Sequence, residues 1–352
     1  MSKNNVKKVL LINFGGIGDE ILFFPTIKTI KETYPNAQIY LALEPRSKSA
    51  KHLCSAIDKV FTVDIKSPFK YFEILKFLFK VWLRSFDVVF SSGSSKLVSM
   101  LLFLTGIKEK YGFDSGSWSE KLLTKTVKLN KKQYAANMYH DLAKIVAPEA
   151  ICSIPEIDNV VKPEINCDKP IILIHPGVSL MSIQKNIIKG WDVKRWAKLI
   201  DLLLETKKYK VLLAGGKDDE DTIEQILLIL NATRTDYTDF KNLYGQTKSI
   251  KDFVSLVKVA DVMVCVDSAP MHMAIALNTP VVALFGPTDE KVLVPERENI
   301  KVLTVKDLDC RPCLWEKRQT SCNTKECLVI RTKEAFDAIE NLMEVRVEQC
   351  VN

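Results

Sequence analysis

The stretch Val9-Leu10-Leu11-Ile12-Asn13-Phe14-Gly15-Gly16-Ile17-Gly18-Asp19 sets the architecture of the whole chain. An apolar run ends at a glycine turn, and an amphipathic segment, residues 19–34, begins where the turn stops. A short apolar run closed by turn residues and followed by a longer helical pattern is one strand–helix unit of a parallel sheet. The unit recurs. Residues 39–43, 59–63 and 87–90 read as further strands, and 134–145 as a helix that stops before Pro148. Pro148, Pro155, Pro163 and Pro170 cannot sustain a long helix, so a linker is expected there, with a domain boundary near 160–170.

Beyond the linker the rhythm restarts. Strands are predicted at 171–175, 210–214, 262–266 and 281–285, and helices at 191–206, 219–230, 250–257, 271–277 and 333–343. The predicted fold class is therefore α/β, with two Rossmann-like parallel-sheet domains facing a central cleft at the C-terminal ends of their strands. The expected division is 1–165 for an acceptor-binding domain and 166–330 for a nucleotide-sugar-binding domain. A closing helix, 331–352, is expected to pack back on the N-terminal domain.

Bulk properties narrow the function. The 352-residue chain is 47% hydrophobic and 26% charged, a folded globular composition. A net charge of +7 favours an anionic partner. Zinc-finger spacing, paired RNA-binding aromatics and a dense Lys/Arg stripe are absent from the sequence, so no nucleic-acid partner is expected. The run after Lys8 is too short for the core of a secretory leader, and no long uncharged apolar stretch follows. A cytoplasmic location is expected.

The glycine turn leaves two readings open. Gly16-x-Gly18 has Ile21 where a dinucleotide fingerprint needs its third glycine, so a nicotinamide cofactor is not expected. Asp19 is either the cap of its own helix or a carboxylate that accepts the proton of a sugar hydroxyl. In the second half, His175-Pro176-Gly177-Val178-Ser179 and Asp267-Ser268-Ala269-Pro270-Met271-His272 each follow a predicted strand, as does Phe285-Gly286-Pro287-Thr288-Asp289. Lys189-Gly190-Trp191 stands just ahead of a helix. Small residues at 268 and 269 expose amides at a helix start, Ser179 and Ser268 offer hydroxyls, and Lys189 offers a point charge, all useful to a diphosphate. The plainer alternatives are a solvated Lys189, a core His272 and a capping Asp267.

These motifs together resemble the heptosyltransferase-like glycosyltransferases of family 9, which have the GT-B fold. The resemblance runs from Val9 to about Met343. It is carried by the Gly18-Asp19 turn, Pro25, Tyr34-Pro35, His175-Pro-Gly177, Lys189-Gly-Trp191, Trp196 and the two late turns. It implies an inverting single displacement of heptose from ADP-heptose onto a lipopolysaccharide-core or lipid-linked glycan acceptor. Asp19 is implied as base, Lys189 as a donor-phosphate ligand, and Asp267, Ser268 and Ala269 as part of the donor site. Gly18, His175, Gly177, Ser179, His272 and Gly286 complete the candidate donor-binding set. No Asp-x-Asp metal motif precedes these residues in a suitable loop, so no cofactor is expected to be required for catalysis. Two departures stand out. Asn13-Phe14-Gly15 replaces the usual cation and serines, and Asp267-Ser268-Ala269 replaces Asp-Thr-Gly. A UDP-hexose or UDP-N-acetylhexosamine donor, a nucleotide-sugar epimerase and a non-catalytic anion-binding module are the alternatives.

Two further segments carry chemistry. Residues 69–86, FKYFEILKFLFKVWLRSF, set Phe72, Leu75, Phe79, Trp82 and Phe86 at helical spacing among Lys70, Lys76, Lys80 and Arg84. A basic aromatic helix of this kind suits an anionic membrane surface, or else covers the N-terminal sheet. Cys310, Cys313, Cys322 and Cys327 supply four thiols, the donor set of a structural zinc or iron site.

Overall fold

A computed structural model describes residues 3–158, 160–161, 168–233, 236–314, 322 and 324–351. The chain divides into two compact units, Met1–Asn159 and Val160–Asn352. Residues 162–167, within the expected linker, lie outside the described residues.

In the first unit the strands are β1 (Lys8–Ile12), β2 (Gln38–Leu43), β3 (Lys59–Thr62), β4 (Val88–Ser91), β5 (Glu109–Phe113) and β6 (Lys125–Val127). All neighbours pair in parallel, in the order β3-β2-β1-β4-β5-β6. The helices are α1 (Ile17–Thr33), α2 (Lys70–Trp82), α3 (Lys96–Leu104), α4 (Ser117–Leu122) and α5 (Ala135–His140). β1 is continuous apolar sequence because it lies at the middle of a sheet covered on both faces. Helix α1 packs with α5, while α2 and α3 cover a core of Leu10, Ile12, Tyr40, Phe61 and Val89. Phe86, expected on one helical face with Phe72, Leu75, Phe79 and Trp82, lies beyond the end of α2: Ser85 takes a positive φ of 50°, and the ring turns inward to meet Tyr40 edge-on at 4.9 Å.

The second unit holds β7 (Ile171–His175), β8 (Lys210–Leu213), β9 (Phe240–Asn242), β10 (Val262–Val266), β11 (Val281–Phe285) and β12 (Ile300–Thr304). Their order is β12-β11-β10-β7-β8-β9, again parallel throughout. Counted from its own first strand, this is the order of the first unit, the doubly wound arrangement of dinucleotide-binding sheets. Its helices are α6 (Leu180–Gln184), α7 (Val193–Glu205), α8 (Glu220–Thr233), α9 (Ile250–Val259), α10 (Ala269–Ala276), α11 (Glu290–Leu293) and α12 (Thr332–Val351). Trp196 is fully buried and meets Trp191 edge-on at 4.9 Å. The Trp191 indole N–H donates to the Ile330 carbonyl at 3.1 Å and ties the last segment to this core. Helix α12 follows suit. It buries Ala335, Ile339, Leu342 and Met343 in the second unit's own core.

In both units the strand order reverses beside the first strand, between β1 and β4 and between β7 and β10. Ligands of such sheets bind outside the C-terminal ends of the strands at that reversal. Among the described residues no helix is long and apolar enough to cross a membrane.

Candidate functional site

At the reversal of the first sheet, Gly16 caps α1, and the Asp19 carboxylate reaches back to accept from the Gly16 N–H at 2.7 Å through Oδ2. The other oxygen, Oδ1, faces the Tyr139 hydroxyl at 3.4 Å. Asp19 is half-buried. The turn is shaped around it: a Cβ on Gly15 would lie 2.4 Å from the Asp19 Cβ, so only glycine lets the carboxylate fold over the backbone. Asn13 is buried and structural, its amide reaching the Asp19 carbonyl at 3.4 Å and its oxygen accepting from the Ser92 hydroxyl at 2.5 Å. Glu20 is fully buried, and burial pushes its carboxyl well above the ordinary range. A cation does stand at this turn. Arg46 brings its Nη1 to within 3.4 Å of where a Gly16 Cβ would be, and Arg46 and Lys66 both pair with buried Glu44 at 2.7 Å. Gly18 sits in the first turn of α1 and is half-buried.

At the reversal of the second sheet, β7 ends in His175 and β10 is followed by Asp267. Asp267 is buried and accepts from the Lys189 ammonium at 2.6 Å and from the Thr288 hydroxyl at 2.5 Å. Burial alone would raise this carboxyl; Lys189, Thr288 and the charge of His272 more than offset it and hold the group below the usual carboxylate range. His175 stands 3.4 Å from Asp219, with its ring edge-on to Phe253. Burial depresses the imidazole and raises the Asp219 carboxyl, so each is pushed toward its neutral form. Gly177 belongs to this contact, since a Cβ there would fall 1.6 Å from an Asp219 oxygen.

Comparison with known proteins fits this pair of turns. Glycosyltransferase family 9 (heptosyltransferase) matches residues 75–324. The chain belongs to that family. Lipooligosaccharide heptosyltransferase 2 of Campylobacter jejuni is 25% identical over 339 residues, 93% of this chain and 96% of that protein. Lipopolysaccharide heptosyltransferase 3 of Escherichia coli is 25% identical over 341 residues, 93% of this chain and 96% of that protein. Among solved structures, E. coli ADP-heptose lps heptosyltransferase II superposes with a TM-score of 0.75 at 20% identity, covering 96% of this chain and 99% of that one. E. coli heptosyltransferase WaaC with ADP-2-deoxy-2-fluoro heptose gives 0.68 at 16% identity, covering 96% and 99%. The fold is GT-B, and the chain is a glycosyltransferase.

Within this transferase the candidate donor residues fall into separate groups. Lys189, Asp267 and Thr288 form one network, with His272 buried beside it on α10. His175 and Gly177 form another with Asp219. Ser179 is exposed, caps α6 and accepts from the Ser182 N–H at 3.3 Å. Ser268 begins α10 and donates to the Val266 carbonyl at 3.3 Å. The amide row expected at that helix start is short, because Pro270 has no N–H and Met271 already donates to the Ser268 carbonyl. Ala269 supplies the amide nearest the turn. Gly286 is buried under Leu328, whose Cδ2 would lie 2.5 Å from a Cβ there, and its carbonyl accepts from Arg311.

Thr288, Asp219, Tyr139 and Arg46 are the polar groups the sequence reading did not assign. Thr288 lay inside a turn already singled out. Asp219 and Tyr139 reach His175 and Asp19 from remote positions, and Arg46, paired with nearby Glu44, reaches the distant Gly16 turn.

Cys310, Cys313, Cys322 and Cys327 are free thiols lining one small cavity of about 40 Å³ with Ile188 and Pro287. Burial pushes the Cys313 and Cys327 thiols up, and their cysteine neighbours push them further. Among the described residues no three such side chains are grouped so as to hold an ion. The loop is fastened to the turn after β11: Cys313 N–H donates to the Pro287 carbonyl at 2.9 Å, and Arg311 bonds the Thr288 carbonyl and Glu290.

Proposed function

We propose that this transferase moves heptose from ADP-heptose onto a lipopolysaccharide-core acceptor, with inversion, at the cytoplasmic face of the inner membrane. The likeness along 93% of the chain to named lipooligosaccharide and lipopolysaccharide heptosyltransferases carries the substrate class. The solved relative that holds an ADP-heptose analogue supports the donor.

In this reading the acceptor hydroxyl attacks the anomeric carbon and Asp19 takes its proton. A carboxylate is a weak base for a free alcohol, so the proton moves late, when bond formation has already acidified the hydroxyl. The departing diphosphate gains negative charge as its bond to the sugar breaks. Lys189 answers that charge, one N–H tethered to Asp267 and the others open to phosphate oxygens, with the Ala269 amide beside it. Ser179 and Ser268 stand as further hydroxyl donors. Arg46 and Lys66, at the Asp19 turn, suit an anionic acceptor.

Asp19→Asn tests the core of this. Transfer from ADP-heptose is expected to fall by about 10²–10⁴-fold while ADP still raises the melting temperature; undiminished transfer would remove Asp19 from the role of base. A thermal-shift panel separates the donors, and stabilisation by UDP rather than ADP would favour a UDP-hexose or UDP-N-acetylhexosamine enzyme.

The reading of Cys310, Cys313, Cys322 and Cys327 as ligands of a structural zinc or iron rests on their shared cavity. It is supported by likeness to the iron-containing heptosyltransferase TibC, TM-score 0.62 at 13% identity. The thiols would have to draw closer together than they stand. Elemental analysis of reductively purified protein decides it, and absence of stoichiometric metal sinks it.

A further inference from the structure

Helix α2 is apolar on two sides. Phe77, Leu78 and Val81 are buried against the first sheet, which fixes the helix in place. On the opposite side Phe72, Leu75, Phe79 and Trp82 remain 54–65% exposed. A helix that is hydrophobic all round is normally buried on every side. Its neighbour α3 repeats the pattern: Leu101 and Leu102 are buried, while Leu97 (78%) and Phe103 (53%) face outward together with Leu104. The C-terminal ends of the two helices meet, where the Trp82 indole N–H donates to the Leu104 carbonyl at 3.0 Å. Soluble monomers rarely leave so many large apolar side chains exposed on two neighbouring helices.

The charges around this surface have one sign in excess. Helix α2 carries Lys70, Lys76 and Lys80 against a single acid, Glu73, and α3 opens with Lys96 and contains no acid. Apolar faces rimmed by lysines, whose stems lie along the apolar surface while their ammonium heads reach outward, match a layer that is hydrocarbon within and anionic at its boundary.

The position is equally specific. Helices α2 and α3 follow β3 and β4, whose C-terminal ends share an edge with the turn that holds Asp19. The β3–α2 loop is pinned there by Lys66, which pairs with Glu44, the partner of Arg46 beside Gly16. The apolar surface thus starts next to the carboxylate proposed to meet the acceptor.

We infer that the outer faces of α2 and α3 together are a docking surface for an anionic lipid bilayer, with Phe72, Leu75, Phe79, Trp82, Leu97 and Phe103 entering its interface. The surface presents membrane-borne acceptor to the edge of the first sheet, a purpose that rests on the transferase reading above. Docking itself does not, and it is measured without turnover.

The full chain is sedimented with vesicles of phosphatidylglycerol and phosphatidylethanolamine, and with vesicles of phosphatidylcholine alone. Binding is expected to the anionic vesicles and to weaken with rising salt. Phe79→Ser with Phe103→Ser should reduce the partition coefficient by about tenfold or more at an unchanged melting temperature, since both side chains already face outward. Lys76→Glu with Lys80→Glu should remove the preference for anionic vesicles. Equal partitioning of the Phe79/Phe103 variant and the parent overturns the inference. So does failure of the parent to bind anionic vesicles, and a self-association that the same variant abolishes would then assign the surface to a second copy of the chain. Loss of vesicle binding with full transfer to a lipid-free acceptor fragment supports docking and leaves the catalytic reading untouched.

Discussion

The turn after β1 and the turn after β10 both flank the strand reversal of their sheets, one after the unit's first strand and the other after its fourth, and each carries an aspartate, yet the two carboxylates are held in opposite ways. Asp19 is half-exposed and is oriented by a backbone N–H and a phenol, neither of which carries charge. Asp267 is buried against the Lys189 ammonium. Asp19 thus accepts from neutral donors, whereas Asp267 holds a cation in place. The same acid beside the same kind of strand reversal is therefore steered by neutral donors in one unit and paired with a cation in the other.

The largest expected effect tests the anchor. Lys189→Ala leaves Asp267 as a buried charge without its cation and should cost about 3–5 kcal/mol of stability in urea unfolding. Adding Asp267→Asn to that variant should recover most of the loss; a Lys189→Ala protein as stable as the parent would show that Asp267 does not need the ammonium. Next comes the other turn. Gly15→Ala puts a methyl 2.4 Å from the Asp19 Cβ, and the shift of about 1 Å it forces should lower turnover by about 10²-fold while ADP stabilisation persists. Unchanged turnover would mean that the carboxylate's seat over the turn is not what transfer requires. The smallest effect is in acid. Because the folded Asp267 carboxyl lies below its unfolded value, its contribution is complete above about pH 4 and is lost as pH falls through the lower folded value. The Lys189→Ala/Asp267→Asn protein should lose stability less steeply in that window, and a parallel acid profile would place the acid sensitivity elsewhere.

What the sequence disclosed follows the same physics. β1, β7, β10 and β11 are legible because the middle strands of a covered parallel sheet are unbroken apolar runs. The outer strands are not. β5 begins Glu109-Lys110, β6 has only Lys125–Val127, and β12, Ile300–Thr304, is half-buried along its length. Asp19, Lys189 and Asp267 could be singled out because glycine, proline and small residues mark the turns that carry them. Their roles could not be ranked, because the partners that distinguish anchor from base are distant: Tyr139 lies 120 residues from Asp19, and Asp267 lies 78 from Lys189. The outward face of α2 was visible as spacing, but its continuation onto α3 is a matter of packing. Phe86 was misplaced because the backbone reversal at Ser85 has no signature in that residue's type.

The shared strand order also dictates the sequence of assembly. In each unit the strand made first takes an inner place, and β1 pairs on one side with β2 and on the other with β4. A nascent chain that has released only β1, β2 and β3 therefore carries an open apolar edge along β1 until Val88–Ser91 emerges, and the second unit repeats the interval between β7 and β10. Synthesis exposes the most hydrophobic edge of each half while the segment that seals it is still being made, so pausing within residues 63–87, or within 214–261, is where this chain is most open to mispairing.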